Sequence, residues 1–173
     1  TAGAAEAFSL IARLRRWRRP VVIHPQFTEP HAALAAHGHQ VTVVSCTTDT
    51  GFGIRPDLVP EDADLVVIGN PTNPTGVLHS AAIIESWCRP GRLVVVDEAF
   101  LDSIPGEPET LSRSTRPGLL VIRSLTKLWG IPGVRAGHVL GDPVEISELA
   151  ELASPWSVAT AAIAATTACL GAQ

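Results

Sequence analysis

Cysteine is scarce in this 173-residue chain: only Cys46, Cys88 and Cys169 occur, far apart, odd in number and without a C-x-x-C pair. That pattern excludes a disulfide framework and a cysteine-based metal site, and it fits a reducing cytoplasm. The six histidines, His37 and His39 among them, show no metal-ligand spacing, so no metal is expected. No apolar run reaches the roughly 18 residues needed to span a bilayer, and the first residues lack the basic end, apolar centre and small cleavage residues of a secretory signal. A soluble, cytoplasmic chain is expected. Charge of neither sign dominates: 13 Lys+Arg against 17 Asp+Glu leave a net −4, which offers no general attraction to nucleic acid or to an acidic membrane. Neither G-x-G-x-x-G nor G-x-x-x-x-G-K-[ST] occurs, which counts against a nucleotide-binding domain. Internal repeats and low-complexity linkers are missing too.

The length and the 46% hydrophobic content suit one globular domain with a real core. Short β-branched runs recur at Val21 to Ile23, Val41 to Val44, Leu65 to Ile68, Leu93 to Val96 and Leu119 to Ile122. They are too short and too uniformly apolar for surface helices and read as buried parallel strands. Between them Pro30 to His37 and Ser80 to Cys88 read as helices, the second opened by a Ser80 N-cap. Strand, helix, strand gives an α/β fold with a mostly parallel sheet flanked by helices. Ala136 to Leu140 is a candidate further strand that could run antiparallel, and Pro143 to Leu152 and Ser157 to Leu170 look helical, separated by Pro155. The basic cluster Arg13 to Arg19, with Trp17 inside it, is expected to close a helix running from about Ala4, where cations complement the helix dipole.

In such sheets ligands gather beyond the carboxyl ends of the strands. The polar residues there are Asn70 to Gly76, Asp97 with Glu98, and Ser124 to Lys127. Each motif alone is ordinary: an aspartate ending a buried strand is usually a cap or an ion pair, and Asn, Pro and Gly together make a turn. In combination, Asn73 in N-P-T-G, Asp97 in D-E-A-F, Lys127 in S-L-T-K and Arg135 in G-V-R follow one another at strand ends in the order and spacing of pyridoxal-phosphate (PLP) enzymes of fold type I. The chain closely resembles the class I/II aminotransferases, from Gly3 to the Pro155-Trp156-Ser157-Val158 segment.

That resemblance implies a role for each residue. Lys127 would form the Schiff base with the cofactor and move protons at the substrate's α-carbon, which requires a neutral amine. Asp97 would pair with the pyridinium nitrogen and keep it protonated, preserving the ring as an electron sink. Asn73 would donate to the ring's 3-oxygen from a turn fixed by Pro74 and Gly76. The phosphate would be held by the free N–H groups at a helix start over Gly3, Ala4 and Ala5, by the hydroxyls of Ser124 and Thr126, and by the two-pronged guanidinium of Arg135. Phe27 occupies the place of a ring stacked on the cofactor; an ordinary core phenylalanine is the rival reading. For Arg135 the rival is a surface ion pair.

Three stretches narrow the branch: D-E-A-F-L-D from Asp97, T-K-L-W-G-I-P-G-V-R from Thr126, and P-W-S-V from Pro155. They look most like the cobalamin-pathway threonine-phosphate decarboxylase group, with the histidinol-phosphate aminotransferase group as a close alternative. Decarboxylation and transamination differ in which α-carbon bond lies perpendicular to the ring, a choice made by substrate positioning. Two departures stand out: Phe100 replaces a tyrosine that many aminotransferases carry three residues after the aspartate, and Ala159 replaces an asparagine after P-W-S-V. The resemblance also implies that residues 1–173 form a PLP-binding large domain, without an N-terminal segment and a C-terminal small domain that relatives have. It further implies an amino acid or amine substrate, with or without a phosphate, and a homodimer when full length. A noncatalytic fold-type I fragment serving as a binding module is the alternative of another class.

Overall fold

In the computed structural model, which describes residues 1–171, six strands form one sheet in the order β2-β1-β3-β4-β5-β6. They are β1 (Pro20–His24), β2 (Thr42–Ser45), β3 (Leu65–Gly69), β4 (Leu93–Asp97), β5 (Leu119–Ser124) and β6 (Gly137–Gly141). The first five pair in parallel, and β6 pairs antiparallel with β5, so Gly137 lies beside Ser124. The helices are α1 (Ala4–Leu14), α2 (Glu29–Ala36), α3 (Ala81–Ser86), α4 (Pro143–Leu152) and α5 (Thr160–Leu170).

The central strands consist of valine, leucine and isoleucine because both their faces are covered. Alternation divides them cleanly. One face carries Val22, Leu65, Val67, Leu93, Val95, Leu120 and Ile122 against Phe8 and Ile11 of α1, Leu34 of α2 and Leu149 of α4. The other carries Val21, Ile23, Val66, Ile68, Val94, Val96, Leu119 and Val121 against Ile84 and Trp87 around α3. At α1 the buried residues Ala7, Phe8, Leu10 and Ile11 make the helical stripe that docks on the sheet.

Several expectations need correction. The strand read at Val41 to Val44 is an edge, with alternating exposure and Val43 turned to solvent, because only β1 flanks it. Of the basic cluster only Arg13 lies in the last turn of α1; the helix stops at Leu14. Arg15 reaches Glu145 and Glu148 of α4, and Arg19 pairs with Asp62, so tertiary ion pairs rather than the helix dipole engage these cations. Helix α3 is shorter than read, and α5 begins at Thr160 rather than Ser157. Ser80 is the N-cap residue of α3, yet its side chain makes no capping bond; Glu109 Oε2 accepts from the Ala81 N–H instead, at 2.7 Å.

Candidate active site

Strand periodicity decides which side chains reach the carboxyl end of the sheet on the α1 side. Along β3 the series Leu65, Val67 ends in Gly69; along β4, Leu93, Val95 ends in Asp97; along β5, Leu120, Ile122 ends in Ser124. These three ends open into a cavity with about 590 Å³ of non-atom space, part of it open to solvent. Nine of the residues singled out from the sequence line it: Ala4, Ala5, Phe27, Asn73, Asp97, Ser124, Thr126, Lys127 and Arg135. The tenth, Gly3, stands directly behind Arg135.

At one end of the cavity the chemistry suits an anion. The first turn of α1 presents the N–H groups of Ala4 and Ala5, which have no partner within the helix. Gly3 precedes it at φ +81°, and a Cβ there would lie 2.5 Å from the Arg135 Nη2. Glycine suits the positive φ and leaves that guanidinium room to lie against the helix start. Arg135 itself donates from Nη1 to Pro132 O at 2.9 Å, and no carboxylate pairs with it among the described residues, so the ion-pair alternative is not what the fold uses. Ser124 and Thr126, both buried, share a hydrogen bond of 2.7 Å between their hydroxyls and face the same space.

The other end suits a cationic heteroatom. Asp97 is 9% exposed, and its Oδ1 accepts from the Ala99 N–H at 3.1 Å. Burial lifts its carboxyl to about 6, against the Ala99 N–H and the nearby Lys127 charge, with Glu98 adding a smaller upward push. A positive N–H opposite would favour its carboxylate form. Lys127 Nζ stands over the Phe100 ring, 5.4 Å from its centroid. Phe27 is 41% exposed, so its ring is a wall of the cavity and not a core residue.

The loop carrying Asn73 is held rigidly from below. Asn70, fully buried, accepts from the His79 N–H at 2.8 Å and donates to His79 O, while Thr72 bonds both Gly69 O and His79 Nε2. Gly76 at φ +72° closes the turn by donating to Thr72 O. Sequence reasoning missed Gly69, Pro71 and Ala99 as parts of the wall, and treated Phe100 only as a departure. A signal existed for two of them: Gly69 continues the alternation of β3, and Ala99 lies two residues beyond Asp97, where a short side chain leaves its N–H free to reach back.

Comparison with known proteins identifies the family. The model of the family Aminotransferase class I and II matches residues 1–173. A histidinol-phosphate aminotransferase of Mycobacterium tuberculosis is 45% identical over 167 residues, covering 96% of this chain and 45% of its own length. A threonine-phosphate decarboxylase of Pseudomonas aeruginosa is 34% identical over 161 residues, covering 91% of this chain and 46% of its own length. The chain thus spans less than half the length of these curated relatives. Among solved structures, the histidinol-phosphate aminotransferase from Sinorhizobium meliloti in complex with pyridoxal-5'-phosphate superposes with a TM-score of 0.84 at 22% identity, over 98% of this chain and 48% of that one, and so shares the fold. A match over its full extent, on a fold with its ligand cavity at these strand ends, places the chain in the class I and II aminotransferase family, whose cofactor is pyridoxal 5'-phosphate.

Proposed function

We propose that this chain is the cofactor-binding large domain of a PLP-dependent enzyme and that Lys127 is the residue that takes the cofactor covalently. The observation that carries this reading is the convergence of Asn73, Asp97, Lys127 and Arg135, from four separate segments, on one cavity. The donor set fits the cofactor: a helix start with the Arg135 guanidinium lying against Gly3, and on the same cavity a buried carboxyl lacking a cation in contact.

In this reading Ala4, Ala5, Ser124, Thr126 and Arg135 bind the phosphate. Asp97 would pair with the ring nitrogen and keep it protonated, Asn73 would donate to the 3-oxygen and Phe27 would serve as an aromatic wall beside the ring. When bound, PLP supplies a sink for the electrons left on a substrate's α-carbon. Lys127 Nζ moves the proton at that carbon.

The substrate is read as an amino acid or amine carrying a phosphate, since the relatives of both names act on such molecules. The three sequence stretches resemble the decarboxylase group. Two observations favour transamination instead: the relative at 45% identity is named histidinol-phosphate aminotransferase, and Ala159 stands where the decarboxylase pattern has asparagine. Nothing in the fold or the relatives supports a noncatalytic module. A homodimer is proposed for the whole protein, by analogy with the family.

The test is incubation with PLP, borohydride reduction and peptide mapping, with Lys127→Ala as control. Label confined to Lys127 supports the reading; label elsewhere, or undiminished in Lys127→Ala, overturns it. Histidinol phosphate with a 2-oxo acid acceptor, against threonine phosphate with carbon dioxide release as readout, then separates the two reactions.

A further inference from the structure

Behind the cavity, on the opposite face of the sheet, lies a group of charges that the reading above does not use. Alternation that points Asp97 and Ser124 into the cavity points their neighbours Glu98 and Arg123 the other way. Glu98 is 0% exposed. Its Oε1 accepts from the Leu111 N–H at 2.6 Å and its Oε2 from Thr110 Oγ1 at 2.9 Å. Arg123 Nε stands 3.0 Å from the same Oε2, an ion pair whose N–H is not aligned as a hydrogen bond. Arg123 also donates from Nη2 to Glu107 and to Thr110 Oγ1.

The location gives this pair leverage. The paired register of β4 and β5 ends at Asp97 and Ile122, and the Glu98 N–H donates to Ile122 O at 2.9 Å one step further. Beyond that bond the two chain segments separate, one toward Ala99 and Phe100, the other toward Thr126 and Lys127. The Glu98 and Arg123 side chains tie them together at the point of divergence.

We propose that the Glu98–Arg123 pair is a positioning element, which fixes the distance and the electrostatic balance between Asp97 and Lys127 without touching the cavity. The inference rests on the roles of Asp97 and Lys127 proposed above. Its electrostatic half has a definite sign. Glu98 adds negative charge next to Asp97, and Arg123 offsets it; the charges facing Asp97 are Lys127 and Glu98, and those facing Arg123 are Glu98, Asp102 and Glu107, with His138 across the β5 and β6 ladder and Arg113 near Glu107.

The test compares the wild-type chain with Glu98→Gln, Arg123→Gln and the double variant. PLP affinity is measured by titration, the pH midpoint of the bound cofactor's absorbance change by spectroscopy, and folding by thermal unfolding. Arg123→Gln, leaving Glu98 uncompensated, weakens PLP binding about tenfold and moves the midpoint upward, by roughly half a pH unit or more. Glu98→Gln moves the midpoint downward. The double variant returns toward the wild-type midpoint while remaining weaker in affinity. Midpoints displaced in the same direction by both single changes, or a double variant as displaced as Arg123→Gln, would overturn the proposal, as would singles within twofold of wild type in affinity with unmoved midpoints. A wild-type chain that takes up no PLP brings down the functional reading itself, an outcome distinct from wild-type labelling at Lys127 with indifferent variants.

Discussion

Asp97 is held where its charge is costly to the protein unless a cation faces it. Its carboxyl lies near 3.8 in the unfolded chain and at about 6 when folded, so its contribution to stability is full below pH 3.8 and is lost as pH rises through about 6. At about 1.4 kcal/mol per tenfold change in proton affinity, the loss approaches about 3 kcal/mol at neutral pH. Asp97→Asn in the cofactor-free chain should therefore raise the urea midpoint at pH 7 to 8, with the gap closing below pH 4, while PLP uptake is lost. A variant no more stable than wild type at pH 8 would contradict this. Phe100 has the reverse character: it offers Lys127 a ring face but no hydroxyl to the cofactor's 3-oxygen. The absorbance of the PLP-loaded chain should titrate at higher pH than in Phe100→Tyr, whose phenol would stabilise the anionic oxygen; equal midpoints would rule that out. That Asn73, Asp97, Lys127 and Arg135 would line one cavity was legible in the sequence because the first three end or follow a strand and Arg135 leads into the next, each in a recognisable motif. The partnership of Glu98 with Arg123 was not, since it depends on which strands are neighbours and on which face each side chain takes.

Secondary elements show the same division. The central strands were readable because buried parallel strands must be apolar on both faces, and four such runs stand out. What the pattern lacks is lateral position: nothing in Thr42–Ser45 announces an edge. Helix starts were less legible where a distant residue does the capping. Glu109, not Ser80, accepts from the first turn of α3. Glu109→Ala is expected to lower stability by about 1 kcal/mol, and Ser80→Ala by much less, as judged by urea midpoints. The opposite ranking would restore the local cap inferred from sequence.

Across the whole molecule, the cavity is assembled from α1, the ends of β3, β4 and β5, and the segment leading into β6. A ligand held there engages the ends of the central strands and the helix covering them, so it should stabilise the global fold and not one loop. At a hundredfold excess over its Kd, PLP should raise the unfolding free energy by about 2.7 kcal/mol. Differential scanning with increasing PLP measures this, and an unfolding temperature independent of PLP would contradict it. The overall class was legible from the alternation of strands and helices; the strand order was not, because sequence order does not tell that β2 steps outward beyond β1 before the chain returns to place β3 on β1's other side.

The contact between Gly3 and Arg135 also orders events during synthesis. The helix start that would receive the phosphate is made first, but its guanidinium partner follows 132 positions later, after all five parallel strands. A chain still being translated holds half a cradle until Arg135 has left the ribosome and β6 has turned back along β5. Phosphate capture through both halves would thus be a late step, available only to a chain that has placed β6 on the sheet.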